Sequence, residues 1–369
     1  MKQIISLLVL TVLTIVLTAC ANEDTKKEEE NEVKVYQNPV FEPVLADPSI
    51  IRDEDGYFYA FGTQDYGEWG TEFGTQYIPV IKSINMVEWE FVGSVFNLQN
   101  RPTWGTPNAG LWAPDIVKIG EQYVLYYSLS KWGDPNPGVG IATAPHPTGP
   151  WTDHGKLFDS ASIGVNNSID PTVFVGEDEK VYMIWGSFRG LYGLELTSDG
   201  LALKDGENAV NTKVHIAGLD TKTPWNGATY EGAYVIQKDG YYYMFVSSGT
   251  CCNGFNSTYN VRVSRATSPL GPYYDSLGQD MLGTHCGDQV LMGSSFFAGP
   301  GHNAIAVDDA GDYWIVYHGY DTSEPAKMGN SPRRSLLIDK LIWDEQGWPT
   351  VLGTIPSNGE QQAPTIKRK

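Results

Sequence analysis

Long helical periodicity is absent after the first 20 residues, which argues against a helical domain. Cations are scarce too. With 25 Lys and Arg against 44 Asp and Glu, the chain carries a formal charge of −19, and a polyanionic partner such as nucleic acid is excluded because phosphate binding needs clustered positive charge. A neutral or cationic partner meets no such penalty. Cysteine is limited to 4 residues, and the adjacent Cys251 and Cys252 lack the separation usual between zinc ligands. What the sequence has instead is 40 Gly, 21 Tyr and 11 Trp, a mixture that favours strands and tight turns. At 369 residues it can form one large all-β domain with a substantial core.

The N-terminus reads as a targeting segment. Lys2 precedes an apolar run from Ile4 to Leu17 that ends in Leu17-Thr18-Ala19-Cys20, too short for a comfortable membrane span. It resembles a bacterial lipoprotein signal over residues 1–20, with Cys20 as the lipidated residue, and places the protein outside the cytoplasm. Residues 21–34 are charged and lack apolar anchors at first, so they are expected to be a disordered acidic tether. With Cys20 set aside three cysteines remain, an odd number that leaves at least one thiol unpaired within the chain. A bridge from Cys251 or Cys252 to Cys286 suits an oxidising compartment.

Five stretches share one pattern: Ala46 onward (ADPSIIRDEDGYFYAFGT), Ala113 onward (APDIVKIGEQYVLYYSLS), Ile169 onward (IDPTVFVGEDEKVYMIWGS), Tyr230 onward (YEGAYVIQKDGYYYMFVSSG) and Gly301 onward (GHNAIAVDDAGDYWIVYHGY). Each has a polar or small start, a short apolar run, a turn rich in Asp, Glu or Gly, and a second run of strand-forming residues, the pattern of a β-hairpin. Their starts lie roughly 55 to 75 residues apart, and second hairpin signals at Lys82, Ala142 and Ser264 fall in the gaps. Two hairpins per period make a four-stranded blade. The expectation is an all-β, five-bladed β-propeller over residues 35–355, followed by a C-terminal tail over 356–369.

Aligned on their apolar runs, the hairpins begin with Asp47, Ala113, Asp170, Glu231 and His302. Inner strands do not collect unpaired acids for stability, since desolvating a carboxylate is costly. The acids are therefore expected to converge on one solvent-filled site, where mutual repulsion raises the pKa of at least one and supplies a proton donor beside an acceptor. That suits glycosidic-bond cleavage. Asp115 lies two positions further into its strand and reads as structural, and His318 reads as a core hydrogen-bonding residue.

Taken together, Ala46-Asp47-Pro48, Trp112-Ala113-Pro114-Asp115, Ile169-Asp170-Pro171-Thr172, Glu231-Gly232-Ala233, Gly301-His302-Asn303 and the Arg334-Ser335 to Trp348-Pro349 segment resemble glycoside hydrolase family 43, over about Pro39 to Pro349. The resemblance implies an inverting enzyme with Asp47 as general base, Glu231 as general acid and Asp170 as the acid that tunes and orients Glu231. It implies that His302 faces a calcium or other cation. The Cys251-Cys252 pair and Gly301-His302-Asn303 are most similar to the endo-acting α-1,5-arabinanases, whose substrate is neutral arabinan or its oligosaccharides. Trp112 is the first candidate sugar platform, with Trp132 and Phe188 behind it. Arg189 departs from an aromatic residue common at that place. The expected protein is a monomeric, lipid-anchored, extracytoplasmic endo-α-1,5-L-arabinanase. The alternatives are an exo-acting arabinofuranosidase or β-xylosidase, a non-catalytic carbohydrate-binding propeller, and a retaining fructan-cleaving propeller.

Overall fold

A computed structural model of the chain describes residues 34–42, 44–65, 74–220, 230–323 and 333–367. The expected signal segment, Cys20 and nearly all of the tether lie outside the described residues. Five four-stranded antiparallel sheets follow one another in chain order. Blade 1 comprises Ser49–Arg52, Phe58–Phe61, Tyr77–Ser83 and Glu90–Phe96, and blade 2 comprises Gly110–Ile119, Gln122–Ser130, Gly138–Ala144 and Thr152–Asp159. Blade 3 comprises Thr172–Val175, Val181–Trp185, Leu191–Glu195 and Val214–Ala217, and blade 4 comprises Tyr230–Lys238, Tyr241–Ser248, Asn260–Ala266 and Asp288–Leu291. Blade 5 comprises Phe297–Val307, Tyr313–Asp321, Arg334–Trp343 and Pro349–Val351. First strands touch in sequence around the ring, with blade 5 returning to blade 1, so the fold is the expected five-bladed β-propeller.

The aromatic and aliphatic second strands owe their composition to burial on both faces. In blade 2, Val124 and Tyr126 pack toward blade 3 among Phe158, Met183 and Trp185, whereas Leu125, Tyr127 and Leu129 pack toward blade 1 among Phe61, Val80 and Phe96. The period-two alternation of a strand sends neighbouring residues to opposite blades, so both sets must be apolar. Five such clusters fill the five junctions. Each fully buried Phe or Tyr contributes on the order of 1.5–3 kcal/mol.

The ring is also fastened from its ends. Val35–Tyr36 pairs with Gln361–Gln362, inside the segment expected as a tail. The Tyr36 hydroxyl and the Asn38 amide both donate to the Ile338 carbonyl, and the Tyr317 hydroxyl donates to Asp339 at 2.5 Å. Burial pushes the Asp339 carboxyl above its ordinary value.

Candidate active site

The column residues, just before or within the first strands, adopt an unusual backbone. Asp47, Ala113, Asp170, Gly232 and His302 have φ of 53°, 41°, 57°, 54° and 47°, a region that costs a non-glycine residue on the order of 1–2 kcal/mol. Gly232, rather than Glu231, therefore occupies the fourth place in this column. With Gly232 in that place the apolar pair Val235-Ile236 falls three and four residues on, as Ile50-Ile51 does after Asp47 and Val173-Phe174 after Asp170, so a column placed on Glu231 is one residue out; the first strand of blade 4 bulges between Glu231 and Tyr234. Strands of blades 2 and 5 bulge at the corresponding places, after Trp112 and after Gly301.

Four junctions hold their column residue in one way. The Ala113 N–H donates to Thr63 Oγ1 at 2.8 Å, the Asp170 N–H to Ser128 Oγ at 2.9 Å, the His302 N–H to Ser247 Oγ at 2.8 Å, and the Asp47 N–H to His318 Nδ1 at 3.0 Å. Each acceptor comes from the end of the preceding blade's second strand. At the junction of blades 3 and 4 the corresponding hydroxyl, Ser187 Oγ, instead donates to Glu231 Oε2 at 2.6 Å, and the Gly232 N–H faces the Asp170 carboxyl.

The three predicted acids are all buried and within electrostatic reach of one another. Their environments differ in kind. Burial alone would raise Asp47, but the Arg334 guanidinium at 2.9 Å from Oδ1, helped by His302, His318 and the Thr63 hydroxyl at 2.5 Å from Oδ2, holds it well below the usual carboxylate range. Among the described residues Glu231 has no basic partner at that distance; burial pushes it up to about 7 against the donors Ser187 and Tyr259. Asp170 is raised well above its ordinary value, first by burial and then by Glu231 and Asp47. One carboxylate is thus kept ionised beside two that favour the proton.

Sequence reasoning missed this supporting set. Arg334 was noted only as part of a closing segment, and His318, expected in the core, is buried but also reaches the site, with Nδ1 at 3.3 Å from Asp47 Oδ1. A signal was present: Thr63, Ser128, Ser187, Ser247 and His318 each stand near the end of the second hairpin run. Asp115 has the structural place expected of it. It accepts from Ser49 Oγ at 2.9 Å and from the Val173 N–H at 2.6 Å, linking the first strands of blades 1, 2 and 3, and burial raises it to about 7.

The aromatic candidates divide. Trp112, half-buried beside the column, faces Trp132, 76% exposed, with ring centroids 5.6 Å apart and planes tilted by 52°. Phe188 and Arg189 are half-buried at the junction of blades 3 and 4, where the Phe188 N–H donates to the Tyr230 carbonyl. The disulfide joins Cys251 to Cys252 and leaves Cys286 as a buried free thiol, so a bridge to Cys286 is not formed. Cys286 is committed elsewhere, its backbone N–H donating to the Tyr230 hydroxyl at 2.7 Å.

His302 Nδ1 lies 3.5 Å from Asp47 Oδ1, the oxygen already held by Arg334, and burial lowers the imidazole's affinity for protons. This donor set fits a cation held by one imidazole nitrogen and otherwise by water, not a carboxylate cage of the kind calcium usually fills. Among the described residues, the metal-ligating cluster that does form is Asp53, Asp55 and His146, in turns away from the column. There the Thr148 N–H donates to His146 Nδ1, which leaves Nε2 as the N–H that faces the carboxylates, 3.3 Å from Asp53 Oδ2, and accounts for the cluster as a hydrogen-bonded contact.

Comparison with known proteins agrees with this geometry. The family profile described as Glycosyl hydrolases family 43 matches residues 36–349. The chain belongs to glycoside hydrolase family 43. It is 32% identical over 313 residues to the extracellular endo-α-(1→5)-L-arabinanase 1 of Bacillus subtilis, covering 83% of this chain and 87% of that one. It is 31% identical to the extracellular exo-α-(1→5)-L-arabinofuranosidase ArbA of Cellvibrio japonicus, over 83% of this chain and 85% of that one. Among solved structures, a family 43 endo-arabinanase from Bacillus licheniformis superposes with a TM-score of 0.69 at 32% identity, covering 83% of this chain and 97% of its own. A Cellvibrio cellulosa α-L-arabinanase complexed with arabinohexaose gives 0.70 at 27% identity, covering 84% and 96%.

Proposed function

We propose that this family 43 enzyme is an inverting endo-α-1,5-L-arabinanase. The observation that carries the reading is the division of labour among the buried acids, with Asp47 held ionised by Arg334 and Thr63 while Glu231 keeps its proton up to about pH 7. Glu231 protonates the glycosidic oxygen as the bond to the anomeric carbon breaks, and the bonding electron pair leaves with that oxygen. Asp47 takes a proton from a water molecule that attacks the anomeric carbon from the opposite face, so configuration inverts. Ser187 supports the carboxylate that Glu231 becomes, the ionised Asp47 disfavours a second negative charge on Glu231, and Asp170 lies close enough that it and Glu231 disfavour each other's ionised form. Trp112 and Trp132 offer faces for furanose rings. A cation on His302 would add positive charge near the carboxylates, and no step above depends on it.

The relatives named for arabinanase activity support arabinan as substrate, and those called extracellular support an extracytoplasmic location, while Cys20 as lipid anchor rests on the Leu17-Thr18-Ala19-Cys20 sequence alone. No helix among the described residues is long and apolar enough to cross a membrane. A monomer suffices, since all three acids, Arg334 and the Trp pair come from one chain.

Exo action is the second reading, favoured by the likeness to the Cellvibrio japonicus exo-enzyme. Size-resolved products from debranched linear arabinan over time separate the two, with xylan and fructan as controls. A ladder of intermediate oligosaccharides is expected, and arabinose or one short oligomer from the start would establish exo action. NMR of the first-formed anomer tests inversion, and a retained anomer would contradict it.

A further inference from the structure

Tyr259, which immediately precedes the third strand of blade 4, is not among the residues that the sequence or the comparisons mark, yet it reaches both halves of the site. Its side chain is fully buried. The ring stacks on His318 with centroids 5.8 Å apart and planes within 16°, and His318 in turn accepts the Asp47 N–H at 3.0 Å. The Glu231 carboxyl stands within reach of the hydroxyl, but among the described residues the hydroxyl makes no close hydrogen bond. Room for the ring is built in, because a Cβ at Gly301 would collide with it. A buried hydroxyl left without a close partner costs free energy, so its retention beside the acid calls for a state in which the bond closes.

We propose that Tyr259 is a positioning residue for the general acid, its hydroxyl closing onto Glu231 as the carboxyl gives its proton to the departing sugar. The inference rests on the reading of Glu231 as the acid. Ser187 already donates to one carboxylate oxygen at 2.6 Å, so Tyr259 supplies the second donor that an ionised carboxylate requires. Burial keeps the phenol protonated, so it acts only as a donor. No proton is transferred to or from Tyr259; the proton passes from Glu231 to the leaving oxygen.

The test is Tyr259→Phe, which keeps the ring on His318 and removes the hydroxyl, assayed on linear arabino-oligosaccharides and on aryl α-1,5-arabinobiosides with nitrophenol leaving groups. Loss of a hydrogen bond to a charged group predicts a fall in kcat of about 10- to 100-fold on the oligosaccharides, whose leaving group needs the acid. KM should stay within about two-fold and the nitrophenyl substrate should be nearly spared, since a good leaving group needs little protonation. Equal loss on both substrates, or no loss on either, would overturn the role. Glu231→Gln measured on the same pair keeps the two claims separate: if it spares the oligosaccharides, the acid assignment fails, whereas a normal Glu231→Gln pattern with an unselective Tyr259→Phe fails Tyr259 alone. A melting temperature matching wild type excludes misfolding as the cause of either result.

Discussion

The junction between blades 2 and 3 and the junction between blades 3 and 4 use the same hydroxyl position for different ends. At the first, Ser128 accepts the backbone N–H of Asp170 and fixes a column residue whose left-handed φ it helps offset. At the second, Gly232 adopts that φ without a side-chain penalty, and Ser187 is released to donate to a carboxyl one residue earlier. The difference shows how a repeated scaffold makes an acid. A one-residue offset turns a structural tie into support for a side chain, and burial without a basic partner then keeps that side chain protonated.

The largest test of the contrast is Glu231→Gln, expected to lower turnover on arabinan by about 1,000-fold, within the range for a lost general acid. Folding should be preserved, and steady-state rates with a thermal melt check both expectations. A second buried carboxyl with an equally raised pKa sharpens the point. Asp115 also sits at about 7, but it satisfies backbone and hydroxyl donors instead of facing the site. Asp115→Ala should therefore cost stability, about 2–4 kcal/mol in urea unfolding, because it strands buried donors.

Both raised groups also set a pH trend. Folding retains protons that the unfolded chain releases above about pH 4, so their stabilising contribution is full below that pH and is lost as the pH rises through about 7. Melts of Asp115→Ala across this window should show a shallower decline than wild type.

Smaller effects separate the junctions themselves. Ser187→Ala should reduce kcat on arabinan by about 10-fold through the acid, while Ser247→Ala, which removes only the acceptor for the His302 N–H, should lower stability by about 1 kcal/mol with kcat little changed. Comparable kcat losses at the two serines would dissolve the distinction. Smallest of all, prolonged chelation should lower the melting temperature by a few degrees if His302 holds a cation, and elemental analysis showing no metal with no thermal change would remove that proposal.

Much of this was readable in advance. The two-faced burial of the second strands shows as unbroken aromatic and aliphatic runs, and Asp47-Pro48, Asp170-Pro171 and Glu231-Gly232 mark the first strands where polar groups gather. The place of Gly232 was readable as well, since Val235 and Ile236 follow it by three and four residues as Ile50 and Ile51 follow Asp47; the acid beside it drew the column one residue early. The support of Asp47 was not readable, because its partners His318 and Arg334 lie 271 and 287 residues away and meet it only when the ring closes. Nor could the sequence say that Cys251 pairs with Cys252 and leaves Cys286 a buried free thiol, since burial of Cys286 is again a tertiary fact.

The most direct test is the pH dependence of kcat/KM on arabino-oligosaccharides for wild type, Ser187→Ala and Ser247→Ala. With Glu231 as the protonated acid, wild-type activity should fall on a basic limb near pH 7, and Ser187→Ala should move that limb upward, since the lost donor favoured the ionised carboxylate. Ser247→Ala should leave it in place. A limb that stays put in Ser187→Ala, or shifts equally in both variants, would contradict the account.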